Sequence, residues 1–315
     1  MYLLVIKQLV IMLLIALCAF FVTKKFKFGV TEQQFVSKML LFVVNPCLVL
    51  NNFNIDFDAE KFKSFGFAFV LSIIIHLVMV LISVIFCRTK SDLESEKSLD
   101  GLDRIASFMS NCAFIGIPLI NGVIGSEGVF YLLSFIAVFN IFLWTFGYAL
   151  VGGKINLVRI ITNPNILCVI FGIILFCLPF KLPEIISLPL EYIGSMNTAM
   201  AMILLGMLFA TFKKSSESSY TKRIIRVCIV KFVIIALVTF LIIFGTYKLF
   251  PNFKDIRIIC YVILIAAICP TGMSVSSMAV LLKKDDSYAA LLCIITSLLS
   301  IFTLPITIAL SEMAF

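Results

Sequence analysis

Ser110–Asn111–Cys112–Ala113–Phe114–Ile115–Gly116–Ile117–Pro118 and Cys269–Pro270–Thr271–Gly272–Met273–Ser274 are the two stretches on which the fold turns. Each sets proline and glycine in the middle of a long apolar run. Proline removes a backbone donor and clashes with the preceding turn, and glycine loosens that turn. The pattern predicts two helices broken midway, at Gly116 and Pro118 in the first and at Pro270 and Gly272 in the second. At membrane depth such a break is tolerated only where the freed backbone is buried in protein or lines a wet cavity. The half-helix N-termini it exposes carry unpaired N–H groups and the positive end of the helix dipole, which favour an anion.

Outward from these stretches the chain reads as membrane throughout. Of its 315 residues 62% are hydrophobic and only 13% charged, with a mean hydropathy of +1.16. A soluble domain carries about a quarter charged residues, so a water-facing surface cannot be built from this composition. Apolar runs fall at 3–22, 33–51, 64–87, 104–124, 129–151, 160–180, 187–211, 224–249, 256–281 and 287–311, about ten spans of the length a bilayer requires. The basic excess, 25 Lys+Arg against 17 Asp+Glu, lies in the short gaps. There it reads as a topology signal rather than a nucleic-acid surface. The first, third, fifth, seventh and ninth gaps hold most of it, which predicts those gaps in the cytoplasm and both termini outside. The run from Leu3 to Val22 lacks a cleavage site and reads as a first span.

Ten spans divide into five and five, residues 1–152 and 153–315, and an odd-numbered repeat inserts upside down. Inverted repeats of this kind mark many secondary transporters. One interval separates Pro118 from Pro270 and also Asn45 from Asn197, placing each pair in corresponding spans of the two halves.

Several chemistries are excluded or left without support. A single histidine, His76, cannot furnish a two-histidine metal site, the ten cysteines form no CxxC pair, and no Walker A sequence is present. No metal and no cofactor is expected. An intramembrane enzyme would need a nucleophile beside a base, and no such dyad is visible. The polar side chains that accompany the breaks are Asn111 and Cys112 in the fourth span, Thr271 and Ser274 in the ninth, and Asn45 and Asn197 in the second and seventh. Amides and hydroxyls donate to a carboxylate without bringing a charge that must itself be desolvated. His76, near the centre of the third span, is the candidate for proton coupling. Lys231 and Lys38 sit near span ends, where they are expected to snorkel. These residues suit a carrier of small organic anions; a proton- or sodium-coupled carrier of a neutral or cationic solute stays open.

Asn45–Pro46–Cys47–Leu48–Val49, the fourth-span stretch from Ser110 to Leu119, and Ile136–Asn140 through Trp144–Thr145 together resemble the auxin efflux carrier family, as do Gly206, Pro270 and Pro305 by position. The family includes plant PIN proteins and bacterial malate and malonate permeases. The resemblance implies ten helices in two inverted repeats, a fold like that of sodium/proton antiporters, and scaffold and transport subdomains interleaved between the repeats. It also implies crossing broken helices, an elevator-like or rocking movement in the plasma membrane and often a homodimer. Its substrates are monocarboxylates or dicarboxylates. Its binding asparagine matches Asn111 and its crossover prolines match Pro118 and Pro270. This chain departs in Cys112 and Ala113, where Thr and Gly are usual, and it lacks the long loop of plant auxin exporters.

Overall fold

The structure is a computed structural model that describes residues 2–89, 94–153, 164–178, 180–211 and 220–314. The described residues form helices α1 (Tyr2–Phe26), α2 (Val30–Phe53), α3 (Ala59–Phe86), α4 (Glu94–Phe108), α5 (Cys112–Val123), α6 (Ser126–Leu150), α7 (Pro164–Cys177), α8 (Glu184–Thr211), α9 (Tyr220–Leu249), α10 (Ile256–Ile268), α11 (Met273–Leu281) and α12 (Asp286–Glu312). Seven of these (α1, α2, α3, α6, α8, α9 and α12) are long and apolar enough to cross a membrane. The expected fourth and ninth spans are each two helices end to end, α4–α5 and α10–α11, parted by three or four non-helical residues. Part of the fifth gap and most of the seventh lie outside the described residues.

Helix composition explains placement. α10 is apolar on every side, and all of its residues except Arg257 and Ile258 are buried. The described part of α6 from Gly128 to Phe139 is likewise buried throughout. Helices apolar all round belong at the centre of a bundle; α3 and α10 pack against α6 and each other, and α9 packs against α3 and α10. A second group, α1, α2, α7 and α8, packs on itself, with α1 running against α8 and α2 against both α7 and α8. The α1–α8 contact is close because Gly206 meets the α1 backbone. A Cβ there would lie 2.1 Å from the Ala16 carbonyl oxygen and 2.8 Å from Ala19 Cβ. Small residues at such contacts let membrane helices approach. Gly206→Val is expected to destabilise the protein by about 1–3 kcal/mol through overpacking, read as a lowered melting temperature in detergent. An unchanged midpoint would refute this contact.

Four helices contain a wide π turn: Leu40–Val44 in α2, Cys112–Gly116 in α5, Leu143–Gly147 in α6 and Val230–Ile235 in α9. Two of them end two residues before a proline, Pro46 and Pro118. In both, the last hydrogen bond runs five residues back, from Asn45 N–H to Leu40 O and from Ile117 N–H to Cys112 O. The wide turn absorbs the donor that proline lacks, so the helix continues through it. This corrects the expectation that Gly116 and Pro118 break the fourth span. The chain leaves the helix at Met109–Asn111, and Pro118 lies inside α5.

The charged ends of α4 and α9 are also longer and more deeply packed than the sequence suggests. Both helices begin in residues expected to be polar connections. Arg223 donates to Asp100 Oδ1 at 2.8 Å, to Asp103 Oδ2 at 2.6 Å and to Glu96, and Arg226 donates to Asp103 Oδ2 at 2.7 Å. Tyr288 of α12 donates its hydroxyl to Asp103, and Thr89 donates both N–H and hydroxyl to Asp100. Asp103 is fully buried. Burial opposes ionisation of the Asp100 carboxyl, but the bonds from Thr89 and the Arg223 guanidinium outweigh it and hold the group below the usual carboxylate range. The network ties α4, α9 and α12 to the end of α3.

Candidate binding site at the helix crossing

The two helix breaks lie side by side. Ser110 and Thr271 form an antiparallel bridge. Asn111 N–H donates to the Pro270 carbonyl at 2.7 Å, and Gly272 N–H donates to the Met109 carbonyl at 3.0 Å. Proline at 270 forces the preceding Cys269 into extended backbone (φ −52°, ψ 151°), which ends α10. Each break thus supplies the backbone partners the other has lost, which is how irregular chain is stabilised in the interior of a membrane protein. α5 opens immediately after one break with Asn111 as its N-cap, and α11 opens after the other with Gly272 as its N-cap.

Beside this crossing is a cavity of about 540 Å³ between the two helix groups. One wall comes from α2 and α8, including Gln33, Phe42 and Leu204; the other comes from the crossing and α6, including Asn111, Phe114, Trp144 and Ser274. Asn111 is 4% exposed, and its Nδ2 has no hydrogen-bond partner. Ser274 Oγ, in the first turn of α11, is buried and unpartnered as well. Neither side chain caps its helix. Ser110 Oγ and Trp144 Nε1 are buried without a partner too, so four residues of the lining, two of them at helix N-termini, keep an unpartnered polar group beside the cavity, an arrangement suited to an acceptor carrying negative charge.

The remaining expected site residues lie elsewhere. Thr271 is fully buried: its hydroxyl donates to the Ala106 carbonyl at 2.8 Å, and its N–H donates to Thr296 Oγ1 at 3.0 Å. It holds α10–α11 against α4 and does not line the cavity, because satisfying the last carbonyls of α4 consumes its donor. Cys112 is fully buried behind the crossing, also away from the cavity lining. Asn45 and Asn197 are buried against each other, Asn197 Nδ2 donating to Asn45 Oδ1 at 2.7 Å. That bond joins α2 to α8, while Asn197 Oδ1 is buried without a partner. His76 is buried among Phe135, Phe139 and Phe142, with Nδ1 2.8 Å from the Ser72 carbonyl. A carbonyl only accepts, so Nδ1 carries the proton there. His76 does not line the cavity. Pro270 and Gly272 are in the extended stretch itself.

Lys231 is a further correction. Instead of snorkelling it is fully buried and donates to the Ser107 carbonyl at 3.1 Å, at the C-terminal end of α4 where a cation complements the helix dipole. Lys38 is exposed. Gln33, Ser37 and Trp144 line the cavity without having been expected there. Three of the four π turns contribute lining residues (Leu41 and Phe42, Ala113 and Phe114, Leu143 and Trp144), and no sequence signal announces a π turn that has no proline after it. The Arg223 network did leave a trace: Asp100 and Asp103, like Arg223 and Arg226, are three residues apart and share a helix face.

Apolar helices of membrane-crossing length, with two broken helices crossing beside a cavity, define a multi-pass membrane protein of the transporter class. A protein family described as membrane transport protein matches residues 4–156 and 149–308. The chain belongs to that family, the auxin efflux carriers that its fourth-span motif resembles. Among curated proteins none matches the sequence.

Proposed function

We propose that this membrane transporter moves an organic anion by alternating access, with the substrate carboxylate held by Asn111 Nδ2 and Ser274 Oγ at the N-termini of α5 and α11. The observation that carries this reading is the unpartnered, buried amide of Asn111, a residue of the cavity lining at the helix crossing. A buried donor without a partner is costly, and a bound carboxylate would satisfy it. The packing suggests the moving parts: the group around α6, stiffened by the Arg223 network, shifting against the group of α1, α2, α7 and α8, with the cavity between them. Two inverted five-helix repeats would account for the two breaks and for the Asn45–Asn197 pair, which share one sequence interval. Placement in the plasma membrane with both termini outside, and a homodimer, complete the proposal. Membrane potential alone is a sufficient drive, at about 2.3 kcal/mol per elementary charge for each 100 mV.

The test is current on solid-supported membranes carrying the purified protein, scanned with malate, malonate, lactate and indole-3-acetate and paired with a thermal-shift screen of the same ligands. A saturable response, reduced at least tenfold in Asn111→Ala, is expected. If no carboxylate either drives current or raises the melting temperature, the anion reading fails.

A further inference from the structure

Lys231 is fully buried behind the crossing and does not line the cavity. It belongs to the π turn Val230–Ile235 of α9, the one of the four such turns that contributes no residue to the lining. Its only hydrogen bond among the described residues runs from Nζ to the Ser107 carbonyl, at 3.1 Å. In an unbroken helix that carbonyl would accept from the Asn111 N–H, but Asn111 donates across the crossing to Pro270. The groups that act on the ammonium through space are the thiols of Cys228 on α9, Cys112 at the start of α5, Cys293 on α12 and Cys269, where α10 ends. Thiols are uncharged at neutral pH. Among the described residues no carboxylate lies within ion-pair distance of Lys231, and Asp103, one turn before Ser107 on α4, is committed to Arg223, Arg226 and Tyr288.

A buried ammonium without a carboxylate needs another source of negative potential. Two helix C-termini supply it: α4, whose last turn includes Ser107, and α10, which ends at Ile268 next to Cys269. Each helix end carries roughly half a negative charge, so the two together offset roughly one ammonium. Secondary transporters with broken helices hold their coupling cations at such half-helix C-termini and freed carbonyls. We propose that Lys231 is a tethered substitute for that cation: its ammonium fills the cation position at the crossing, and the transporter needs no Na+ bound there. Removing the side chain then uncovers a site for a small monovalent cation. Lys231 acts on the cavity only through the crossing it holds together, which makes it a positioning residue. The inference goes beyond the anion reading and does not depend on which solute is carried.

Melting temperatures of the full chain in lipid nanodiscs test this, with choline chloride compared against NaCl, KCl and methylammonium chloride at equal ionic strength. No carboxylate ligand is present, so the outcome is independent of the anion reading. The parent is expected to melt at one temperature in all of these salts. Lys231→Ala is expected to melt about 5 °C or more below it in choline. It should recover, with a saturable dependence, in at least one of the three small cations, which choline is too large to imitate. Lys231→Gln keeps an N–H donor for Ser107 without the charge and is expected to melt low in choline as well. A parent stabilised saturably by Na+ overturns the proposal, because the cation position would then stand vacant beside the lysine. A Lys231→Gln protein that matches the parent also overturns it, since a neutral donor would then suffice to cap α4. So does a Lys231→Ala loss that is the same in every salt, the mark of packing alone. If neither variant folds, the response of the parent to Na+ still decides.

Discussion

In proteoliposomes the Asn111→Asp protein is expected to transport its anion at less than about one-hundredth of the parent rate, a loss of roughly 3 kcal/mol or more in the binding of the transported species. The substitution changes almost no volume. It replaces the Nδ2 donor with an oxygen that only accepts, and it sets a negative charge at the place where the substrate's charge is bound. Losing a hydrogen bond to a charged group costs about 1.5–3 kcal/mol, and like-charge repulsion in a poorly solvated cavity adds to it. Asn111→Ala removes only the first of these effects, so it should lose less than Asn111→Asp. That order of severity tests the sign of the substrate. For a cationic solute the aspartate would attract rather than repel, and Asn111→Asp would then retain or gain activity while Asn111→Ala lost it. Parallel tracer uptake for the three proteins, at matched reconstitution, separates these outcomes.

The second large effect is expected on stability. Arg223→Met leaves Glu96, Asp100 and the fully buried Asp103 with Arg226 as the remaining guanidinium in the network. Breaking a buried ion pair by removing one partner costs about 3–5 kcal/mol, because the other charge stays behind without compensation. The methionine keeps most of the side-chain volume, so the loss reports charge and hydrogen bonding rather than a cavity. Adding Asp100→Asn to Arg223→Met should recover part of the stability, since Arg226 still neutralises Asp103 at 2.7 Å. Melting temperatures of the parent, the two single variants and the double variant, in one detergent, give the coupling. If the Arg223→Met and Asp100→Asn effects simply add, the network is not the connection between α4 and α9 described above. The acid side has a sign as well. The Asp100 carboxyl is held below its ordinary value, so its contribution is present above about pH 4, the unfolded value. It is lost as pH falls through the lower folded value.

Much of this architecture was legible from composition and punctuation alone. A chain this apolar has no soluble solution, and bilayer thickness sets the length of its helices, so the long helices fall within a few residues of the expected runs. Pro270 and Gly272 marked one break correctly for a local reason, since proline constrains the residue before it wherever it occurs. Pro118 misled for an equally local reason. A proline can be accommodated by one π turn before it, and whether the chain breaks or widens depends on neighbouring elements that local sequence does not contain. The break moved to Met109–Asn111 because the other broken helix offered two backbone partners there, from Pro270 and Gly272.

The sequence by itself determined the solvent this protein folds in, the approximate register of its helices, and the short roster of polar side chains that had to find partners inside the membrane. Only the tertiary structure decided which partner each one found. The Asn197 amide N–H went to Asn45 Oδ1, the Thr271 hydroxyl to a carbonyl of α4, and the Lys231 ammonium turned inward to Ser107. Asn111 and Ser274, in the cavity lining, kept donors without a partner. A buried polar group is a demand for a hydrogen bond, and the demand is written in its residue type. The supply comes from atoms more than a hundred positions away in the chain, and only packing brings them within hydrogen-bond distance.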